Sequence, residues 1–246
     1  MNIHISIVIP VYNGYEFFDE CISSIINQTY TSWELIIGVN GHGDDSNPIF
    51  KMLQEKINKL EDKRIYIYNF SDIKGAPATI NKLVSLAKYD WIAHLDIDDK
   101  WEPLKLEVQT EFINNECKGF SIIGTWCIYL GDLQSLSPVL EYGELDLKTF
   151  ISKGNQLIHS SILIKKEFAH YTDEFVCYDL DCWLRCLIAG VRIFNLGYGL
   201  TYHRIHKQSF FNASNKQTPN KVFEKYVGNT PEWQHKLLLL STIYQC

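Results

Sequence analysis

The first hundred residues alternate short apolar runs with stretches of helical period, and few architectures accept that pattern. Residues 3–10, 33–39, 64–68 and 91–96 are apolar runs rich in β-branched and aromatic residues, of strand length. Between them, residues 15–28 carry Phe17, Phe18, Cys21, Ile22, Ile25 and Ile26 at helical spacing, and residues 49–60 and 78–87 read as further helices. Strand–helix alternation of this kind predicts a mainly parallel sheet covered by helices on both faces. A helix is expected at 104–114 with Pro103 in its first turn, then a long strand at 120–130. Beyond that the alternation lapses. The sequence predicts a short helix at 146–152, a strand at 160–164, a helix at 180–189 and two short strands around Val191 and Tyr198. A polar tract at 207–221 and an amphipathic helix at 233–244 follow. No repeat, low-complexity tract or linker interrupts the chain, so one domain over residues 1–246 is expected.

Three predicted strands end in unusual polar residues: PVYNG, VNGHG and LDIDD. In open α/β sheets ligands sit beyond the carboxyl ends of the strands, so these ends define one crevice. Asp96, Asp98 and Asp99 crowd like charge there. Asp96 and Asp98, spaced D-x-D, suit a shared hard divalent cation, Mg²⁺ or Mn²⁺, which takes few protein ligands and completes its shell with water and phosphate oxygens. The alternative is a solvated acidic turn before the next helix.

Composition narrows the partners. Of 246 residues 46% are hydrophobic, enough for a sizeable core, and the net charge of −6 argues against a broad nucleic-acid surface while leaving room for a small anion pocket. The seven cysteines form no C-x-x-C pair and read as reduced thiols of a cytoplasmic protein. The N-terminal stretch reads as a strand rather than a leader, and the late run LLLLSTIY is too short to span a bilayer, so at most peripheral membrane association is expected.

SIVIPVYNG, SIINQTYTSWELIIGVN and NKLVSLAKYDWIAHLDIDDKWEPLKLE, in that order, resemble the family 2 glycosyltransferases. The later stretches IHSSILIKKE, YDLDCWLRC and YHRIH match as well, and the likeness runs from residue 3 to about 210. It implies an A-type, Rossmann-like fold with a smaller acceptor-side region. Residues 1–100 would bind the nucleotide sugar, 101–210 would form the acceptor half, and 211–246 a tail and helix. It also implies inverting, metal-dependent transfer from a nucleoside diphosphate sugar to a hydroxyl of a glycan, lipid or protein.

The resemblance carries over residue by residue. Pro10, Tyr12 and Asn13 would line the nucleotide, as would Asn81. Asn40 stands where the family usually has the aspartate that reads uracil. An amide still offers an acceptor to N3–H and a donor to O4, so a UDP-sugar remains favoured. Asp98 would bind the cation, Mn²⁺ or Mg²⁺, and Asp96 the ribose or a metal-bound water. Asp99 would cap the next helix or hold the loop, and Trp101 reads as core. Asp179 is the expected general base, although Tyr178 replaces the family's usual glutamate beside it. Arg204 would meet the diphosphate and His206 would serve as a further metal or phosphate ligand. His159 and, in reserve, Asp181 are placed on the acceptor side. Lys74 is either a phosphate contact or a solvated charge, and His203 is assigned no role.

Two other classes compete. A non-catalytic nucleotide-sugar binder or inactive partner subunit is suggested by Asn40 and Tyr178. A phosphoryl transferase would need a phosphate-cradling glycine loop after the first strand, and PVYNGYEF does not supply one.

Overall fold

A computed structural model of the protein describes residues 3–43, 47–115, 119–132, 137–206 and 218–228. Within them the predicted alternation is realised as β1 (Ile5–Val11), α1 (Phe18–Ile26), β2 (Trp33–Asn40), α2 (Pro48–Leu60), β3 (Ile65–Phe70), α3 (Ala76–Leu86) and β4 (Trp91–His94). The second half adds β5 (Lys100–Trp101), α4 (Lys105–Asn115), β6 (Phe120–Gly131), β7 (Gly143–Leu145), α5 (Leu147–Lys153), β8 (Leu163–Lys165), α6 (Tyr178–Ile188), β9 (Arg192–Ile205) and α7 (Thr218–Val227).

The strands form one mixed sheet in the order β3-β2-β1-β4-β8-β6-β9-β5, with β7 on β9. β1 pairs in parallel with β2 and β4, and β2 with β3. β8 is antiparallel to both β4 and β6, and joins the parallel half to the parallel pair β6–β9. The architecture is the predicted Rossmann-like one, a helix-flanked and mostly parallel sheet. Alternation along β1 and β2 splits the core in two. Ile5, Ile7, Ile9, Leu35 and Ile37 pack under α1 and α2. Val8 and Ile36 face the other way, against Ile80 and Leu83 of α3 in the layer that also holds Trp183 of α6.

Local chemistry sets the element ends. Asn47 caps α2, its Oδ1 accepting from Ile49 N at 2.9 Å, with Pro48 in the first turn. Asp146 caps α5 through Thr149 N, and Gly154 at φ 82 ends it. α4 is riveted by polar groups inside the core. Gln109 Nε2 donates to Ile123 O at 2.8 Å and Ser161 O at 3.0 Å. Gln28 donates to Glu102 O and accepts from Leu106 N. Lys105 is fully buried, with Nζ 2.8 Å from Gln109 Oε1 and 4.1 Å from the Trp101 ring centroid.

The structure departs from the sequence expectation in three places. The two short strands around Val191 and Tyr198 are one 14-residue strand, β9. Gly197 and Gly199 break its hydrophobic pattern, but bulged pairing with β6 carries the strand through them. The strand predicted at 160–164 begins at Leu163, because His159–Ser161 form a 3-10 turn with Ser161 Oγ on Ile158 O. The polar tract contributes its end, from Thr218, to α7. The helix expected at 233–244 lies outside the described residues, as do Cys117 and Cys246.

Burial drives the Lys105 amine well below its ordinary range. The unfolded chain therefore binds a proton that the folded one does not, and stability rises with pH between the folded value and about 10.4, by about 1.4 kcal/mol per unit. Lys105→Met is expected to remove that slope. Urea unfolding of both proteins at several values between pH 8 and 10 checks it, and parallel lines would refute a neutral Lys105.

Candidate active site

The crevice is built from the carboxyl ends of β1, β2 and β4 and from the far end of β9. Past β1, Pro10 is half-buried, Asn13 is exposed and Tyr12 is 57% exposed. The Tyr12 ring stacks on His42 at 5.1 Å, and His42 Nε2 lies 2.6 Å from Tyr12 O. Gly41 lies under the Tyr12 ring, where a Cβ would come within 3.1 Å of it at a φ of 76. Asn40 ends β2 and is 2% exposed. Its Nδ2 donates to Ile73 O at 3.5 Å, while the buried Oδ1 has no protein partner. A buried amide acceptor without a donor is costly unless a ligand fills it.

The acidic turn after β4 is answered by β9. Asp99 is 1% exposed; its carboxylate meets His203 Nδ1 at 3.0 Å and accepts from Arg204 N at 2.8 Å. It therefore holds the loop and does not cap α4. Arg204 Nε donates to Asp98 O at 2.8 Å, and Nη2 reaches Glu20 Oε2 of α1 at 2.5 Å. Two nitrogens of Arg204, the residue that the resemblance sets against the diphosphate, are thus engaged within the protein. His206 Nε2 lies 3.0 Å from Asp98 Oδ2. Asp96 N donates to Ser160 Oγ at 3.0 Å, and Asp96 Oδ1 lies 3.6 Å from His159 Nδ1.

These contacts pull the titrations apart. Burial, then repulsion from Asp99 and Asp96, raises Asp98 to about 6. Burial opposes charge on Asp96 too, but the His159 contact and the His159 and His203 charges outweigh it, and Asp96 is lowered. Burial would lower His203, yet Asp99 lifts it to about 9. His159 is raised in the same way, against burial, by Asp96 and more weakly by Asp179. His159 stacks on His94 at 4.5 Å, and neither of its ring nitrogens has a hydrogen-bond partner in the protein. His94 is held neutral by burial, with Nε2 3.0 Å from Tyr171 OH.

Asp179 stands in the first turn of α6. Its Oδ2 accepts from Asn155 Nδ2 at 2.9 Å, and burial raises its carboxyl. The predicted residues therefore do not all share one bay. Asp181 is fully buried, taking hydrogen bonds from Thr172 at 3.0 Å and Tyr226 of α7 at 2.6 Å, so it ties α7 to α6. Asn81 clamps the Tyr171 backbone, donating to its O at 2.7 Å and accepting from its N at 2.9 Å. Trp101 is core, with Nε1 on Ser160 O, and Lys74 is exposed. Glu20, His94, Asn155 and His203 were not foreseen. Only His203 left a signal, as a second histidine beside Arg204.

Among the described residues no group of three or more His, Cys, Asp or Glu side chains is arranged to hold a metal by itself. Asp98 with His206 supplies one hard oxygen and one imidazole nitrogen, in a pocket where carboxylate repulsion is only partly offset. That donor pair fits Mn²⁺ or Mg²⁺ completed by water and a diphosphate.

Comparison with known proteins identifies the family and the fold. Residues 6–164 match the family described as Glycosyl transferase family 2. The chain is 26% identical over 98% of its length, and 83% of the relative's, to an uncharacterized glycosyltransferase of Methanocaldococcus jannaschii. It is 30% identical to the O-antigen biosynthesis glycosyltransferase WbnJ of Escherichia coli, covering 83% of this chain and 81% of that one. It is 28% identical to the E. coli UDP-Glc:alpha-D-GlcNAc-diphosphoundecaprenol beta-1,3-glucosyltransferase WfaP, covering 83% and 78%. Among solved structures, Staphylococcus aureus TarS 1–349 in complex with UDP-GlcNAc superposes with a TM-score of 0.72 at 13% identity, over 95% of this chain and 69% of that one. The mannosyltransferase PcManGT of Pyrobaculum calidifontis, in complex with GDP-Man and Mn²⁺, gives 0.71 at 11%, over 93% and 65%.

The raised His203 makes a checkable contribution to stability. Protonated His203 on Asp99 stabilises the fold fully below about 6.5, and the contribution is lost as pH rises to about 9. His203→Asn is expected to be less stable than the parent at pH 6, by at most roughly 3 kcal/mol. The two should converge by pH 9.5. Urea unfolding across that range checks this, and a pH-independent difference would refute it.

Proposed function

The chain belongs to the family 2 glycosyl transferases, and on that premise we propose that it moves a sugar from a nucleoside diphosphate sugar, UDP-linked by preference, to a hydroxyl acceptor with inversion at the anomeric carbon. The observation that carries this reading is the pair of carboxylates held in opposite directions at one crevice: Asp96 lowered by His159 against burial, and Asp179 raised by burial although Asn155 donates to it. One suits binding as a permanent anion. The other suits proton transfer.

In this reading the half made by residues 1–100 holds the donor. Asn40 Oδ1, unpartnered in the protein, accepts N3–H of the base. Pro10, Tyr12 and Asn13 flank the nucleotide, and Asp96 takes the ribose. Asn81 acts at one remove, through the Tyr171 backbone it clamps. Asp98 and His206 would hold Mn²⁺ or Mg²⁺, which when bound neutralises charge on the diphosphate. Arg204, fixed by Asp98 O and Glu20, presents its remaining amine, Nη1, to the leaving group. Asp179 accepts the proton of the attacking hydroxyl from the opposite side. His159, between Asp96 and Asp179, turns Nδ1 toward Asp96 and has Nε2 to offer to a sugar hydroxyl. Asp181 belongs to the α6–α7 contact and takes no step. WbnJ and WfaP work in glycan assembly by their names, which favours a glycan acceptor over a protein. No helix among the described residues is long and apolar enough to cross a membrane.

The test is a donor screen that follows nucleoside diphosphate release from UDP-, GDP- and dTDP-sugars with Mn²⁺, Mg²⁺ or chelator. Release from one donor is expected, lost in Asp98→Ala and with chelator. Asp179→Asn should bind that donor within about threefold of the parent, while transfer falls by roughly 10²–10⁴. Failure of every donor to bind in calorimetry would sink the proposal. Binding with no transfer to any acceptor would favour the non-catalytic binder that Asn40 and Tyr178 suggest.

A further inference from the structure

A second cavity, of about 370 Å³, lies on the face of β6 and β9 that also carries α6, and among the described residues no charged side chain lines it. Alternation along β6 puts Ile122, Gly124, Trp126 and Ile128 on this face. Ile122 is core, and Leu157 packs so closely on Gly124 that a side chain there would collide with it. Trp126 and Ile128, the next two positions outward, are only half-buried. The opposite wall is the segment Ser137, Pro138, Val139 and Leu140, with Val139 93% exposed. Tyr142 is 66% exposed.

Two glycines of β9 make room for the side chains that shape this cavity. A Cβ at Gly197 would meet Tyr142 at 3.2 Å and Trp126 at 3.7 Å, and one at Gly199 would meet Ile128 at 3.2 Å. β6 and β9 change register here, between Thr125 and Trp126 and again before Cys127, and such bulges re-aim side chains beside functional sites. The cavity is tied to the proposed base by a short chain of contacts. Asn155 holds Asp179, and Gln156 Oε1 accepts from Glu141 N at 2.9 Å. Glu141 O in turn accepts from Trp126 Nε1 at 3.3 Å. Leu157, two residues past Asn155, packs against Gly124, which precedes Trp126 by one step of about 6.8 Å on the same face.

We propose that this cavity is the acceptor subsite, in which a pyranose ring of the acceptor lies against Trp126 and Tyr142 while a hydroxyl of that ring or its neighbour reaches Asp179. This inference rests on the glycosyltransferase reading and names the chemistry of its acceptor. A pyranose offers an apolar C–H face to an aromatic ring and hydroxyls at its rim. Here Trp126 and Ser137 line the cavity, and the Tyr142 ring lies next to Trp126 over Gly197. Among the described residues the lining carries no charge, which favours a neutral group there and leaves the diphosphate to the crevice around Arg204. The volume suits one or two rings.

The probes are the octyl glycosides of glucose, galactose, mannose and N-acetylglucosamine, with octyl sulfobetaine as a chain-only control. Binding is read by saturation-transfer NMR in the presence of the donor nucleotide. At least one glycoside should show transfer to its ring protons with a millimolar dissociation constant. Trp126→Ala should weaken it tenfold or more, and Trp126→Phe should restore most of the loss. Thermal unfolding of each variant checks its folding. Val139→Asp, at an exposed position where folding is not at stake, should weaken binding as well. Ring contacts unaffected by these variants, saturation confined to the octyl chain, or no binding by any glycoside would overturn the proposal. Donor binding, measured by calorimetry on the same parent protein, separates these outcomes from failure of the glycosyltransferase reading, which alone would abolish it.

Discussion

The buried carboxylate of Asp99 is the contact on which the rest of the crevice depends. It has no access to water, so its charge must be met inside the protein. The partners come from 104 residues away in the chain, as the His203 ring and the Arg204 amide. Meeting that one charge docks the end of β9 beside the turn after β4. The docking delivers the other groups: Arg204 to the Asp98 carbonyl and Glu20, His206 to the Asp98 carboxylate. Removing one partner of such a buried pair costs more than the pair itself contributes, because the remaining charge is stranded.

This arrangement explains why a chain ends a buried strand in three carboxylates. Each is answered differently. Asp99 is neutralised by protein, Asp96 is paired with His159, and Asp98 is left crowded and only partly met by His206. The imbalance is concentrated on Asp98, the carboxylate that burial and its two acidic neighbours raise. The same economy shows at Asn40, whose amide spends its donor on Ile73 and keeps its acceptor unspent.

Much of this was legible in the sequence because it rests on local signals. Period and β-branched runs located the parallel half of the sheet, and polar residues at strand ends located the crevice. What escaped depends on contacts remote in sequence. Gly197 and Gly199 look like breaks in a strand, and only the bulged pairing with β6 shows one strand running through them, with Tyr142 and Ile128 packed over the glycines. Asn81 and Asp181 carry the right chemistry for a site, yet one is consumed by the Tyr171 backbone and the other by α7. Asp99 could be a helix cap or a loop anchor by its position, and the choice was made by His203. His94 reads as one polar residue in an apolar strand, and nothing local says that His159 will stack on it.

The parallel pairing of β6 with β9 also shapes how the protein comes to exist. β6 must wait for the chain between the two strands, which includes α5, β8 and α6, before its parallel neighbour is available. Pairings over such separations carry a loop-closure cost before they give anything back, and they slow folding. During synthesis the strands of the first hundred residues can pair while Asp99 still lacks its counter-charges. The part of the crevice built on β1, β2 and β4 can therefore take shape early, but its acidic turn stays hydrated and open until the last strand arrives. Completion of the crevice is in this sense a late event of folding, and a chain arrested before β9 would carry a nearly intact parallel sheet beside an unfinished crevice.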